Sequence, residues 1–351
     1  MHPFSGYTCG RERLPLKQSG AVLIFVLWVF TFLAVLAVNL GYGVRQKIIF
    51  LKRIESRSQA QHVTEGCAKA AVAMLLDDLN KSQYQYTPAA KAFRHNNPNR
   101  FADITVPDGK CEVSYVDPDG LSSKDVKYGT RDEESKININ TADKTVLFRI
   151  VSEVLGVDDH LAETLSEAIY DWRQAGESEL KGFSSDDYYS NLKDPYPKKS
   201  QPFEIIDELM LVKGIDSPSF ELLRDYLTVY GAGQVNINMA CKKVILALGL
   251  DEEVVDRILA LRRGADGVDN TSDDHIFSRT FDIAAEVNAY KKLEPEQMKA
   301  IDYLNQRNLL GTNSSFFTIR SLGFLNDAND QRHLYVTISS TDNRILYWNE
   351  K

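Results

Sequence analysis

The chain has 351 residues, a formal charge of −8, 26% charged and 43% hydrophobic residues. Those values exclude long disorder, collagen-like repeats and a disulfide scaffold, and the acidic balance speaks against a strongly basic nucleic-acid binder. On a prior of about 150 residues per domain the length allows two domains.

Charge is unevenly laid out. No Asp, Glu, Lys or Arg occurs between Lys17 and Arg45, and Ala21 to Val38 is apolar except for Thr31. At about 1.5 Å per residue, Ala21 to Gly43 reaches about 34 Å as a helix, enough to cross a hydrocarbon core of about 30 Å. Arg11, Arg13 and Lys17, opposed by Glu12, place the N-terminus on the cytoplasmic side by the positive-inside tendency; Arg45, Lys47, Lys52 and Arg53 pull the other way. The apolar run is too long for a secretory signal, whose core spans about 7 to 15 residues. Helical character continues beyond it. From Val44 to Leu79 there is no proline and one glycine, Gly66, while Val63, Cys67, Ala70 and Met74, with Ala68, Val72, Leu75 and Leu79 beside them, recur at three-to-four spacing. One helix of about 60 residues is predicted, apolar first and amphipathic later.

A basic leader ending at Gly20, followed at once by Ala21-Val22-Leu23, resembles the layout of type IV pilins and pseudopilins. The resemblance implies cleavage by a prepilin peptidase between Gly20 and Ala21. Most such proteins carry Glu at the fifth mature position; here Phe25 stands there, as in the K-type minor pseudopilin of type II secretion systems.

Residues 101–116 read as strands, with Phe101, Ile104 and Val106 before Pro107-Asp108-Gly109, and Cys111, Val113 and Tyr115 alternating before Asp117-Pro118-Asp119-Gly120. Strand periodicity returns at Phe316–Arg320, His333–Ser339 and Arg344–Trp348. Between them lies a helical stretch with an internal duplication. Ile137-Asn138-Ile139-Asn140-Thr141-Ala142 matches Val235-Asn236-Ile237-Asn238-Met239-Ala240, and each copy runs on to an arginine, Trp172-Arg173 or Leu261-Arg262. Phe203 through Leu209 pairs by similarity with Phe281 through Val287. Asn140 and Asn238 are placed to cap helix N-termini.

The Ile-Asn-Ile-Asn-Thr-Ala phrase is also similar to the start of helix-hairpin-helix modules, including those of membrane-anchored competence DNA receptors, which supply the alternative function. Against it, the candidate hairpins read Gly156-Val157-Asp158-Asp159 and Gly249-Leu250-Asp251-Glu252, with acid where phosphate would approach. Loss of Arg11, Glu12, Arg13 and Lys17 with the leader takes the charge from −8 to −10.

In order, Ala21–Arg53, Lys136–Ala142, Asp171-Trp172-Arg173, Asp186-Asp187-Tyr188-Tyr189 and Pro202–Ile215 resemble the K-type pseudopilin, also called general secretion pathway protein K, over about residues 17 to 263. The expected fold class is α+β: a long N-terminal transmembrane helix packed on a small antiparallel pilin-like sheet, with a large all-α duplicated domain of helix-hairpin-helix or SAM-like type inserted between strands. The domains are then 1–20 leader, 21–80 helix, 81–135 with 312–351 sheet, and 136–311 insertion, its copies at 136–233 and 234–311. The resemblance implies a bacterial inner-membrane protein with its globular part in the periplasm. Its implied partners are the I-type and J-type minor pseudopilins at the pseudopilus tip and the prepilin peptidase, with no nucleic acid. Length favours a tip: some 308 residues beyond the membrane scale to a radius of gyration of about 19 Å against about 13 Å for a 100-residue subunit.

Two linkers of the insertion are acid-rich. Asp266, Asp269, Asn270, Asp273 and Asp274 lie within nine residues beside Gly264 and Gly267, and Asp186 and Asp187 lie in the first linker. Hard oxygen donors at that spacing suit Ca²⁺, although the EF-hand pattern is absent, and the K-type resemblance associates calcium with the insertion. No phosphate loop, nucleophile elbow or His-Glu-x-x-His pair occurs and the six histidines are scattered, so an enzyme is not expected. Asp171 and Arg173 read as a helix-end ion pair around a core indole, Trp172. Cys9 departs with the leader. Cys67 and Cys111 would share one helix-on-sheet contact, either as a disulfide or as two buried thiols, and Cys241 would be free.

Overall fold

The computed structural model describes residues 19–84, 96–107, 109–120, 125–176, 185–268, 271, 273–325 and 328–350. Helix α1 (Ser19–Tyr84) is 66 residues long, and the chain divides into two units after Ser58. In the first unit every described side chain from Ala21 through Glu55 is exposed, and its most apolar 18-residue window has a mean hydropathy of 2.9. By length and composition the helix can cross a membrane.

The second unit is built on a seven-stranded antiparallel sheet. Strands β1 (Ile104–Val106), β2 (Gly109–Val116), β9 (Phe316–Leu325), β10 (Ala328–Ser339) and β11 (Arg344–Glu350) lie side by side in that order, with β3 (Val126–Tyr128) on β2 and β4 (Arg131–Asp132) on β9. Chain order breaks between β2 and β9, so everything from β5 to β8 is inserted into the sheet. Phe101 belongs not to a strand but to a short helix, α2 (Pro98–Phe101), because Asn97 accepts the Asn99 amide at 3.0 Å and Pro98 presets the first turn.

Burial along the later part of α1 follows the helical period: Ala60, Val63, Thr64, Cys67, Ala68, Ala71 and Leu75 are buried. They pack on Cys111, Val113, Phe317, Ile319, Leu334, Val336 and Ile338, the side chains that one face of the sheet presents. Contact is close. A Cβ added at Gly323 would stand 2.2 Å from Thr64 Oγ1, so the glycine lets helix and sheet backbones approach.

A second core fills residues 137 to 310, with helices α3 (Lys144–Leu155), α4 (Asp159–Trp172), α5 (Ser185–Ser190), α6 (Ser217–Leu223), α7 (Lys242–Ala247), α8 (Glu252–Arg262), α9 (Ile283–Tyr290) and α10 (Pro295–Gln306). The repeated Asn phrases open with two-residue strands rather than helices. Strand β5 (Ile137–Asn138) pairs in parallel with β6 (Leu227–Thr228), and β7 (Val235–Asn236) with β8 (Leu310–Gly311).

Candidate functional site

Four features could carry function: the apolar helix, its attachment to the sheet, the braced insertion and the acidic loop. Gly20 and Ala21 lie in the first turns of α1, and Phe25 is 68% exposed; the leader before Ser19 falls outside the described residues. In the second unit Cys67 on α1 and Cys111 on β2 form a disulfide, with Cα atoms 6.2 Å apart and both residues fully buried. The bridge ties the helix to a central strand of the sheet. Cys241 is a buried free thiol whose pKa burial pushes up to about 11, too high for reactivity near neutral pH.

The two Asn phrases make matching contacts. Asn138 Oδ1 accepts the Asn140 amide at 2.8 Å, and Asn236 Oδ1 accepts the Asn238 amide at 3.2 Å. Asn140 then clamps the backbone of Phe203, accepting its N–H at 2.8 Å and donating to its carbonyl at 2.9 Å. Asn238 does the same to Phe277, with both bonds at 2.9 Å. These asparagines are therefore clamps between distant segments, not helix caps. The correction also moves the register of the repeat: the counterpart of buried Phe203 is buried Phe277, whereas Phe281 is 76% exposed. Sequence similarity favoured Phe281 because an acidic, apolar stretch follows both phenylalanines, and nothing local reveals which one a distant asparagine holds.

Arginine closes each copy. Arg173 donates to the carbonyls of Ile139 and Ala142, and Arg262 donates to those of Ile237, at 3.3 Å, and Ala240, at 2.6 Å. Arg173 is thus committed to its own repeat phrase, and the ion pair of Asp171 is made with Lys198 at 3.2 Å. Trp172 is buried and packs edge-on against Tyr189, with ring centroids 5.2 Å apart.

Capping shows how the insertion is fixed to the sheet. Asp143 caps α3 by accepting the Val146 amide at 2.9 Å. At the matching position of the second copy stands Cys241, which makes no side-chain cap bond. Its place is taken by Asp119, from the turn after β2, which accepts the Lys242 amide at 2.9 and 3.1 Å. Asp132, at the end of β4, is buried and accepts from Ser314 Oγ at 2.6 Å, Asn236 Nδ2 at 2.7 Å and the Glu134 amide at 2.8 Å. Burial pushes its pKa up to about 7. Arg131 pairs with Asp225 at 2.7 Å, and Lys136 with Glu133 at 2.7 Å between two buried side chains. The segments leading into and out of the insertion are thus cross-braced by charge-assisted hydrogen bonds.

The candidate hairpin of the first copy is occupied by its own acid: Asp158 accepts the Leu161 amide at 2.9 Å at the start of α4. A carboxylate sits where a phosphate would bind.

In the second linker, Gly264 and Gly267 take φ of +65° and +71°, which only glycine adopts freely. The turn brings the amides of Ala265 and Asp266 onto Asp273 Oδ2, at 2.6 and 3.1 Å, and the Thr271 hydroxyl onto Asp273 Oδ1 at 2.7 Å and Asp274 Oδ1 at 3.2 Å. The Thr271 bond, followed by the Asp266 amide, holds the Asp273 carboxyl down at about 2. Asp269 and Asn270 lie outside the described residues, and so does the Asp186 side chain; Asp187 is exposed on α5. Among the described residues no three His, Cys, Asp or Glu side chains converge as a metal site.

A long apolar N-terminal helix, stapled through its later turns to an antiparallel sheet that carries a helical insertion, is the arrangement that the pseudopilin resemblance implies. The particular relationship follows from comparison with known proteins. Residues 129–232 match the family model described as Type II secretion system (T2SS), protein K. Type II secretion system protein K of Aeromonas hydrophila is 22% identical over 269 residues, covering 70% of this chain and 76% of that protein. The protein of that name from Pectobacterium carotovorum subsp. carotovorum is 31% identical over 108 residues, 31% of this chain and 33% of the relative. A crystal structure of the GspK-GspI-GspJ complex from the enterotoxigenic Escherichia coli Type 2 Secretion System shares the fold. It has a TM-score of 0.59 at 16% identity, over 86% of this chain and 99% of the solved one. The chain is related to type II secretion system protein K, as the order of its sequence phrases implies, and the DNA-receptor alternative gains no support.

Proposed function

We propose that the chain works as a K-type minor pseudopilin, cleaved between Gly20 and Ala21, anchored in a bacterial inner membrane with its N-terminus cytoplasmic, and located at the pseudopilus tip. The observation that carries the reading is the conjunction of a protein K match over residues 129–232 with an exposed apolar N-terminal helix. Its partners are I-type and J-type minor pseudopilins, by analogy with the solved complex of related fold. The role is structural rather than enzymatic. Phe25 fits a leading position, since a subunit with none ahead of it has no earlier N-terminal amine for a fifth-position Glu to neutralise. Intact-mass and N-terminal analysis of the protein from its native membrane tests the reading: a chain beginning at Ala21 is expected, and retention of Gly20 refutes it.

The insertion is read as two copies of one helix-hairpin-helix-type unit, supported by the paired Asn clamps and the paired Arg–carbonyl braces. Its acidic loop is read as a site for a hard divalent cation, because the glycine-permitted turn places Asp273 and Asp274 on one Thr271 hydroxyl and the side-chain donors on offer are all oxygen. Calcium held there by Asp266, Asp273 and Asp274, with Asp269 and Asn270, would neutralise the cluster and stiffen the loop. Melting with and without chelator tests this; an unchanged midpoint in excess Ca²⁺ refutes it.

A further inference from the structure

Past its membrane-length run, helix α1 carries a band of cations. Between Val44 and Ile54 stand Arg45, Lys47, Lys52 and Arg53 without any Asp or Glu, in a chain whose net charge is −8. All four side chains are exposed within the first unit, and none makes an ion pair or a side-chain hydrogen bond among the described residues. Arg45, Lys52 and Arg53 share one face of the helix by their spacing, while Val44, Ile48 and Leu51 share another and are 56%, 49% and 62% exposed. With the N-terminus cytoplasmic, as proposed above, the band stands on the outer side of the membrane, so the positive-inside tendency does not account for it.

Depth does account for it. At about 1.5 Å per residue, Arg45 and Lys47 follow the end of the span at Gly43 by about 3 and 6 Å, inside the polar layer of about 5 to 8 Å that covers each side of a hydrocarbon core of about 30 Å. Lys52 and Arg53 lie about 14 to 15 Å past Gly43, within about one Debye length of that layer, and a helix tilted toward its apolar face brings them closer. We propose that Arg45, Lys47, Lys52 and Arg53 form a collar that binds anionic lipid headgroups, whose phosphodiesters their donors match, and so fixes how deeply α1 sits. A lipid surface rather than an acidic protein partner is indicated by the depth of Arg45 and Lys47 and by the opposite face: an acidic segment in water leaves Val44, Ile48 and Leu51 uncovered, whereas acyl chains cover them. The inference rests on the membrane-spanning reading of α1 proposed above.

The test uses the full-length chain with its leader cations neutralised (Arg11→Gln, Arg13→Gln, Lys17→Gln), so that they contribute nothing, in bilayer nanodiscs of equal phosphatidylglycerol and phosphatidylcholine with identical acyl chains. Mass spectrometry of the ejected protein counts the lipids it keeps. Phosphatidylglycerol should be retained about fivefold or more over phosphatidylcholine, the worth of about one cation near a charged surface, and the ratio should fall as ammonium acetate is raised from about 0.1 to about 0.5 M. Adding Arg45→Gln, Lys47→Gln, Lys52→Gln and Arg53→Gln should bring the ratio to about one, whereas Arg45→Lys with Arg53→Lys should keep it, and the melting temperature should be unchanged in both because these side chains are exposed. Equal retention of the two lipids with the collar intact, a preference that survives its neutralisation, or a preference indifferent to salt would each overturn the proposal. Its failure leaves the pseudopilin reading untouched, since that one is decided by the N-terminus of the mature chain.

Discussion

Removing the Cys67–Cys111 bridge isolates the attachment of helix to sheet. The two cysteines are 44 residues apart, so the cross-link closes a loop of about that length in the unfolded chain. Chain-entropy arithmetic for such a loop gives about 13 cal/mol/K, or about 4 kcal/mol at 25 °C. That is a large share of the 5 to 15 kcal/mol that typically separates folded from unfolded domains. Both residues are buried, so reductant should not reach the native bond, and the informative perturbation is Cys67→Ala with Cys111→Ala, which buries no new hydroxyl. The variant should melt roughly 10 °C lower, and urea should unfold it at a lower midpoint with a similar slope. Non-reducing intact mass should show the wild type 2 Da lighter than its reduced form, the mass of the two thiol hydrogens. Equal midpoints for variant and wild type would refute the claim that the bridge limits the unfolded ensemble.

Asp119→Ala should cost about 1 kcal/mol, the worth of a helix cap, and speed hydrogen exchange at the start of α7; if only exchange in the sheet responds, the cross-domain cap is wrong. Asn238→Ala removes a clamp that answers the buried backbone of Phe277 and should cost about 2 to 4 kcal/mol in urea unfolding, whereas Phe281→Ala, at an exposed position, should stay within about 0.5 kcal/mol; the reverse order would restore the Phe281 register. Asp132 supplies a pH test. Its pKa is raised by burial from 3.8 to about 7, so the folded state prefers the protonated form, and the contribution of this group is fully present below about pH 4 and lost as pH rises to about 7. The change is at most about 4 kcal/mol, and Asp132→Asn should flatten that part of the stability-against-pH curve; an unchanged curve would show that the three donors around the carboxylate offset its burial.

Legibility of the molecule differed by the range of the interaction. Helix α1 could be read because its signals, an uncharged run and then apolar positions every three to four residues, are properties of consecutive residues. The late strands could be read by alternation, and β9 and β10 proved longer than their alternating centres because ladder hydrogen bonds carry the hairpin on through residues 321–325 and 328–332. Phe101 misled because one aromatic residue before a strand has no period, while Asn97 and Pro98 settle the matter locally.

Within the insertion the repeated phrases marked the right residues and mistook their work. Asn140 and Asn238 hold backbone 63 and 39 residues away, a relation with no trace in neighbouring sequence. The second copy has Cys241 where the first has its capping Asp143, and only the packing of the β2 turn against α7 shows that Asp119 takes over the role.

By itself, then, the sequence determined the membrane-length helix, the strand-rich ends and the repeated phrases, since each rests on short-range periodicity or on an ordered set of local phrases. Tertiary structure alone decided the register of the repeat, the partners of Arg173 and Asp171, and the bracing around Asp132. Those depend on which distant groups must be satisfied once water is excluded, and burial is a property of the folded chain rather than of any stretch of it.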